Sequence, residues 1–163
     1  MNTRALCERY IRSKSEGKSN IMIRVDVAYS LITDPTNSKI LMVRNVDDSS
    51  DRWSLPGGAV EREESLDQAA IREAKEETGL DIKVHGIVAV NECKFPEKEE
   101  HVIFITFKGE VIGGNEEIVR PNEISQIAWI DIERAEQLMP YYKEGLRRLI
   151  DGHEITYFNE GNK

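Results

Sequence analysis

The chain has 163 residues, 39% of them hydrophobic and 32% charged, with a formal net charge of −8. Length and composition fit one soluble globular domain and exclude a disordered or low-complexity chain. So acidic a surface repels a phosphate backbone, which excludes polymeric nucleic acid as an expected partner but not a small polyphosphate bridged by a divalent cation.

The two cysteines, Cys7 and Cys93, have no zinc-type spacing and read as free thiols in a reducing compartment. No apolar run resembles a secretory signal, and none approaches the roughly 18 residues of a membrane helix. A cytoplasmic protein with no membrane partner is the expectation. Residues 1–19 are polar and basic-leaning, an extension with a short helix expected around Ala5–Ile11. The domain proper is expected over residues 20–152, followed by a tail over 153–163.

IMIRVDVAYSLI (21–32) is rich in Ile and Val with partial alternation, so a strand is expected. DPTNS (34–38) supplies turn chemistry and KILMVRNV (39–46) a second strand, which together predict a hairpin. After the polar loop DDSSD comes RWSLPGG (52–58), a short apolar piece stopped by Pro56 and two glycines. Ser65 and Gln68 form a capping-box pattern and Gly79 stands where a C-terminal glycine belongs, which predicts a helix over Leu66–Thr78.

Two long β segments follow at 82–95 and 101–112, then a strand at 124–132 whose Asp131 is placed to cap a helix over Glu133–Met139. Pro140 interrupts that helix, and YYKEGLRRLIDG (141–152) predicts a last one. Strands dominate, with one helix in mid-chain and helices at the end. The fold class is therefore α/β, with helices packed on a mixed β-sheet. The apolar β segments and the N-terminal piece also permit a homodimer.

The mid-chain helix carries an unusual charge pattern. At roughly 100° per residue, Glu76 falls about 60° to one side of Glu73 and Glu77 about 40° to the other, so three carboxylates share one arc. Lys75 projects away, and Arg72 lies on one flank within reach of Glu76. Leu66 and Ala69 share the glutamate arc, and Ala70, Ile71 and Ala74 form a stripe beside it. The glutamates thus border the buried side, as at the lip of a pocket, rather than a solvated face. Clustered carboxylates without histidine suit Mg²⁺, or alternatively Mn²⁺, and disfavour zinc. An open carboxylate–metal cluster suits phosphoryl chemistry. Gly57 and Gly58 add a backbone turn that permits close approach to a ligand or metal.

Gly58, Glu64 and Arg72-Glu73-Ala74-Lys75-Glu76-Glu77-Thr78-Gly79-Leu80 stand at the spacing G-x5-E-x7-R-E-U-x-E-E-x-G-U, where U is aliphatic. The pattern resembles the Nudix (MutT-like) box. Its one mild departure is Ala74, where a larger aliphatic residue is commoner. RWSLPGG before the box, the strand order and a late Trp129 extend the resemblance over roughly residues 20 to 150.

The resemblance implies an α/β/α sandwich that hydrolyses a nucleoside diphosphate linked to another group X, with Mg²⁺ held on the box helix. Glu73, Glu76 and Glu77 match the metal-binding glutamates, and the Gly58 carbonyl is a further candidate ligand. Arg72 matches the arginine that orients a metal-binding glutamate, and Glu64 matches a supporting one. The general base is expected to be Glu123, six residues before Trp129. Glu116 and Glu117 are alternatives, as is Glu76 or Glu77 itself.

The substrate is expected to be a nucleoside triphosphate or a small nucleotide conjugate, releasing a nucleoside monophosphate. Pro96, 16 residues beyond Leu80, resembles a marker of some ADP-ribose-cleaving members. ADP-ribose or nucleotide-sugar cleavage is thus the alternative, and a non-catalytic nucleotide sensor a third. Trp53, Phe95, Phe104 and Tyr142 are candidates for stacking on a base or for the core.

Overall fold

A computed structural model describes residues 22–46 and 52–161. The N-terminal extension, with its expected helix at Ala5–Ile11, lies outside these described residues. The elements run β1 (Ile23–Ile32), β2 (Lys39–Asn45), β3 (Trp53–Ser54), β4 (Gly57–Ala59), α1 (Leu66–Thr78), β5 (Leu80–Phe95), β6 (Glu100–Gly114), β7 (Ile124–Asp131), α2 (Ile132–Leu138) and α3 (Leu146–Asp151). They build a four-stranded sheet in the order β4-β1-β6-β5 and a three-stranded sheet in the order β3-β2-β7. The larger sheet is mixed: β1 runs parallel to β6 and antiparallel to β4.

Alternation along the strands explains the layering. Leu31, Ile40, Met42 and Leu55 pack against Ile132, Ala135, Met139, Leu146 and Ile150 of the two C-terminal helices and the turn between them. Their neighbours face the other way: Ile32 and Leu41 meet Ala74, and Ala28 and Phe107 meet Ala69 and Ala70 of α1. Because successive side chains point to opposite faces of a strand, each sheet is covered twice, and the result is the expected α/β/α sandwich. Each fully buried Leu, Ile or Phe contributes roughly 1.5–3 kcal/mol by leaving water.

The core face of α1 is made of alanines. Ala69, Ala70 and Ala74 are fully buried, and their small side chains let the helix axis lie close to the strands. That close approach brings the side chains at 73 and 77 within reach of the Gly57–Gly58 strand. Ala74, the departure from the box pattern, is therefore a packing choice. The helix ends are those its caps predict: the Ser65 N–H donates to Gln68 Oε1 at 3.0 Å, and Gly79 adopts φ +74°.

Two expectations need correction. β1 and β2 are not hairpin partners; they meet at one bridge, Thr33 to Ile40, and separate into different sheets. Within its sheet β1 lies instead between β4 and β6, and its pairing with β6 runs parallel from Ile23↔Glu100 through Ile32↔Gly109. The Asp34–Ser38 turn remains, with the Asp34 carboxylate accepting from the Ser38 and Lys39 N–H groups at 2.7 Å each. The last helix spans only Leu146–Asp151, not 141–152. Gly145 sits at φ +82° and breaks the helical path, and the Glu136 carboxylate accepts from the Leu146 N–H at 2.7 Å. Residues 153–161 fold back on the domain: Ile155 pairs with Ile87, and the Tyr157 ring meets Phe107 edge-on with centroids 5.1 Å apart.

Candidate active site

The site forms where α1 meets β4 and the loop between β6 and β7. Gly58 is the closest point of the strand. A Cβ built on it would lie 2.5 Å from Glu73 Oε1, so only glycine lets that carboxylate approach so near. One residue earlier, the Gly57 N–H donates to Glu77 Oε2 at 2.9 Å. Glu77 is 7% exposed. Burial pushes its carboxyl up to about 8; Glu73 and Glu123 push the same way, while the Gly57 N–H and Arg120 oppose the shift.

Arg72 organises the glutamates beside it. Its Nε and Nη2 donate to the two Glu64 oxygens at 2.7 and 2.9 Å, a bidentate pair. Its Nη1 reaches Glu73 at 2.7 Å and Glu76 at 3.0 Å, and its Nη2 also contacts the Ala59 carbonyl at 3.2 Å. The hydrogen bonds from Arg72 hold the Glu64 carboxyl below the usual range, and those to Glu64 first, then Glu73, hold the guanidinium firmly protonated. One arginine thus ties the pre-helix loop, the helix and the strand together.

A second cation was not anticipated. Arg120 Nη2 lies 2.6 Å from Glu76 Oε2, and its Nη1 lies 3.3 Å from Glu123. Glu76 is therefore neutralised from two sides. The loop that carries Arg120 is pinned to the helix end by the Glu117 N–H, which donates to the Thr78 carbonyl at 2.9 Å. The sequence did contain the signal: Arg120 is the lone basic residue in the acidic loop GGNEEIVRPNE.

Glu64, Arg72, Glu73, Glu76 and Glu77 converge around Gly57 and Gly58, and Glu123 joins them through Arg120. Of the alternatives, Glu116 accepts from Trp129 Nε1 at 2.8 Å, and Glu117 lies beside Gly79. Asp81 pairs with Lys75 at 2.9 Å, and Asp67 accepts from the Ser65 hydroxyl at 2.6 Å.

Among the described residues no three His, Cys, Asp or Glu side chains stand together in a metal-holding arrangement. The two arginines draw Glu73 and Glu76 toward themselves. The chemistry of the donors nonetheless fits a hard divalent cation: carboxylate and backbone oxygens, a glycine that clears space beside Glu73, and an excess of negative charge around the buried Glu77.

A cavity of about 810 Å³ lies on the far side of Tyr29, lined by Trp53, Phe95, Phe104 and Tyr142 among others. All four aromatic residues read as candidates for stacking meet there. Tyr29, missed in the sequence, joins the cavity to the glutamates. It pairs with Gly57 across β1 and β4, and its phenol is pushed above its ordinary range by burial, then by Tyr142, Glu77 and Glu73. No helix of the described residues is long and apolar enough to cross a membrane.

Comparison with known proteins identifies the family. The NUDIX domain family model matches residues 23–151. The ADP-ribose pyrophosphatase of Methanocaldococcus jannaschii is 30% identical over 131 residues, covering 80% of this chain and 76% of that protein. The m7GpppN-mRNA hydrolase of Saccharomyces cerevisiae is also 30% identical, over 115 residues, but the match spans only 11% of its length. A NUDIX hydrolase structure from Nitrosomonas europaea superposes with a TM-score of 0.71 at 21% identity, covering 86% of this chain and all of that one, and shares the fold. A family match across most of the chain, on a helix whose glutamates gather at Gly57 and Gly58, places the protein in the Nudix family, as a hydrolase of phosphorus-containing acid anhydrides.

Proposed function

We propose that the protein hydrolyses, with Mg²⁺ or alternatively Mn²⁺, the diphosphate linkage of a nucleoside diphosphate joined to a group X, and releases a nucleoside monophosphate. The observation that carries this reading is the junction at Tyr29, which sets an aromatic cavity directly beside the glutamate cluster. The cavity suits a base: Tyr29, Trp53, Phe95, Phe104, Tyr141 and Tyr142 line it, and among the described residues its basic lining residues are Arg52 and Lys143. A densely phosphorylated ligand would need more cations. The acidic chain likewise favours a small substrate over a nucleic-acid polymer.

Glu73, Glu76, Glu77 and the Gly58 carbonyl would hold the metal. When bound, the cation neutralises the diphosphate and lowers the pKa of a water for in-line attack on phosphorus. The chain's own part is positional. Arg72 fixes Glu73 and Glu76 through hydrogen bonds and is itself fixed by Glu64. Gly57 holds the buried Glu77 by its N–H. Glu123, exposed and tethered to Arg120, is the residue this reading assigns to take a proton from the attacking water. For Arg120 to serve rather than block, it must leave Glu76 as the cation enters and turn to Glu123 or to the substrate phosphates.

ADP-ribose or a nucleotide sugar is the second reading. It is favoured by the name of the Methanocaldococcus jannaschii relative and by a cavity roomy enough for more than a base. Nucleoside triphosphates, ADP-ribose and nucleotide sugars should therefore be incubated with the protein in Mg²⁺ and in EDTA, and the products identified. The proposal expects monophosphate from at least one of them in Mg²⁺ alone. Turnover that persists in EDTA, or products that lack a nucleoside monophosphate, would refute it.

A further inference from the structure

Among the described residues, Asn91 Oδ1 is the one buried side-chain nitrogen or oxygen without a hydrogen-bond partner. Asn91 is one of the residues that line the aromatic cavity. Asn91 stands opposite Phe104 in the β5–β6 register, and Phe104 stacks on Tyr29 with centroids 5.9 Å apart and planes 6° from parallel. An unmatched carbonyl oxygen therefore sits beside two aligned aromatic rings, next to the residue that reaches the glutamates. A buried acceptor without a donor is unfavourable, and such a group is retained where a ligand brings the donor. Aromatic walls with a few placed polar groups are also the usual composition of a specificity pocket.

We propose that Asn91 is the specificity-determining residue of this cavity: its Oδ1 accepts an N–H from the edge of a nucleobase. The ligand class is a nucleotide whose base offers an amino group there, as adenine does. The remaining Asn91 N–H can donate to a ring nitrogen beside that amino group, a two-point match that an amide side chain makes with adenine. A hydrogen-bonding pocket discriminates most strongly against the analogue that lacks the bonded group, because its own polar atom is then left unmatched. The inference rests on the nucleotide reading of the site, yet it is tested without turnover.

The test is calorimetric binding of AMP and of purine riboside 5′-monophosphate, which lacks only the 6-amino group, to metal-free protein in EDTA. Wild type should prefer AMP by about tenfold. Asn91→Leu, which has the same branching and number of side-chain heavy atoms, should bring the preference close to one. Asn91→Asp keeps the acceptor and should keep the preference, and thermal unfolding checks that both variants are folded. Equal binding of the two nucleotides by wild type, an undiminished preference in Asn91→Leu, or a lost preference in Asn91→Asp would overturn the assignment while the nucleotide reading stood. If wild type bound neither nucleotide, the nucleotide reading itself would fall, and this inference with it.

Discussion

Glu77 shows what the site costs the metal-free fold. Its carboxyl, 7% exposed and close to two others, can ionise only against the burial that pushes it up to about 8. Glu77→Gln keeps an oxygen for the Gly57 N–H and removes the buried acid. It should stabilise the metal-free protein at neutral pH and above by about 1–3 kcal/mol while abolishing metal-dependent turnover. Melting temperatures in EDTA check this, and a lower value for the variant would contradict it. Arg120 supplies the opposite case. Its bridge to Glu76 and Glu123 competes with any cation, so Arg120→Gln should bind Mg²⁺ about two- to fivefold more tightly by calorimetry, yet turn over more slowly because Glu123 loses its tether. Tighter binding with faster turnover would remove Arg120 from the mechanism. The box residues were legible because their chemistry is local to one helix and its approach. Tyr29 and Asn91 were not, because other segments of the chain deliver them and a lone Tyr or Asn carries no spacing signal; Arg120 stood out as the lone basic residue of its acidic loop, but nothing local showed which glutamates it meets.

At the scale of elements, α1 has to end where it does. The Gly79 left-handed conformation turns the chain straight into β5, and a Cβ there would strike the Asn115 carbonyl of the loop that carries Arg120. Gly79→Ala should cost about 1–3 kcal/mol and lower the melting temperature by several degrees, as thermal denaturation will show. An unchanged melting temperature would mean that the loop yields freely. The limits of α1 could be read from the sequence because Ser65, Gln68 and Gly79 act on their own neighbours. The β1–β2 hairpin could not be judged in the same way. Its turn chemistry was correctly read, but the partner of β1 is β6, whose parallel pairing is decided by sheet packing rather than by the turn. The last helix was overextended for a similar reason. Gly145 and the Glu136 cap set its start, and Glu136 lies on the preceding helix.

At the scale of the whole molecule, the tail is part of the fold. The Glu154 carboxylate accepts from the Gly86 N–H at 2.7 Å and pairs with Lys108 at 3.2 Å, which ties residues 153–161 to β5 and β6. The Gly86 N–H, then Lys108, holds this carboxyl below its usual range. Its stabilising contribution is therefore present above the ordinary carboxylate pKa and lost as pH falls through the lowered one. Glu154→Gln should destabilise the fold at pH 7 by no more than about 1 kcal/mol for so exposed a pair, seen as a lower melting temperature, and the difference from wild type should vanish toward pH 3. A difference independent of pH would assign the effect to packing. The sandwich as a whole was legible from strand alternation and the helix pattern. The two-sheet division and the meeting of cavity and glutamates depend on long-range pairing that no local pattern encodes. The most direct measurement of the central claim is monophosphate release from a nucleoside diphosphate linked to X, in Mg²⁺, by wild type beside Glu76→Gln. The carboxylate arc should make the variant slower by a factor on the order of 10² or more, with an unchanged fold by circular dichroism. Equal rates in the two proteins would show that the arc is not where the chemistry happens.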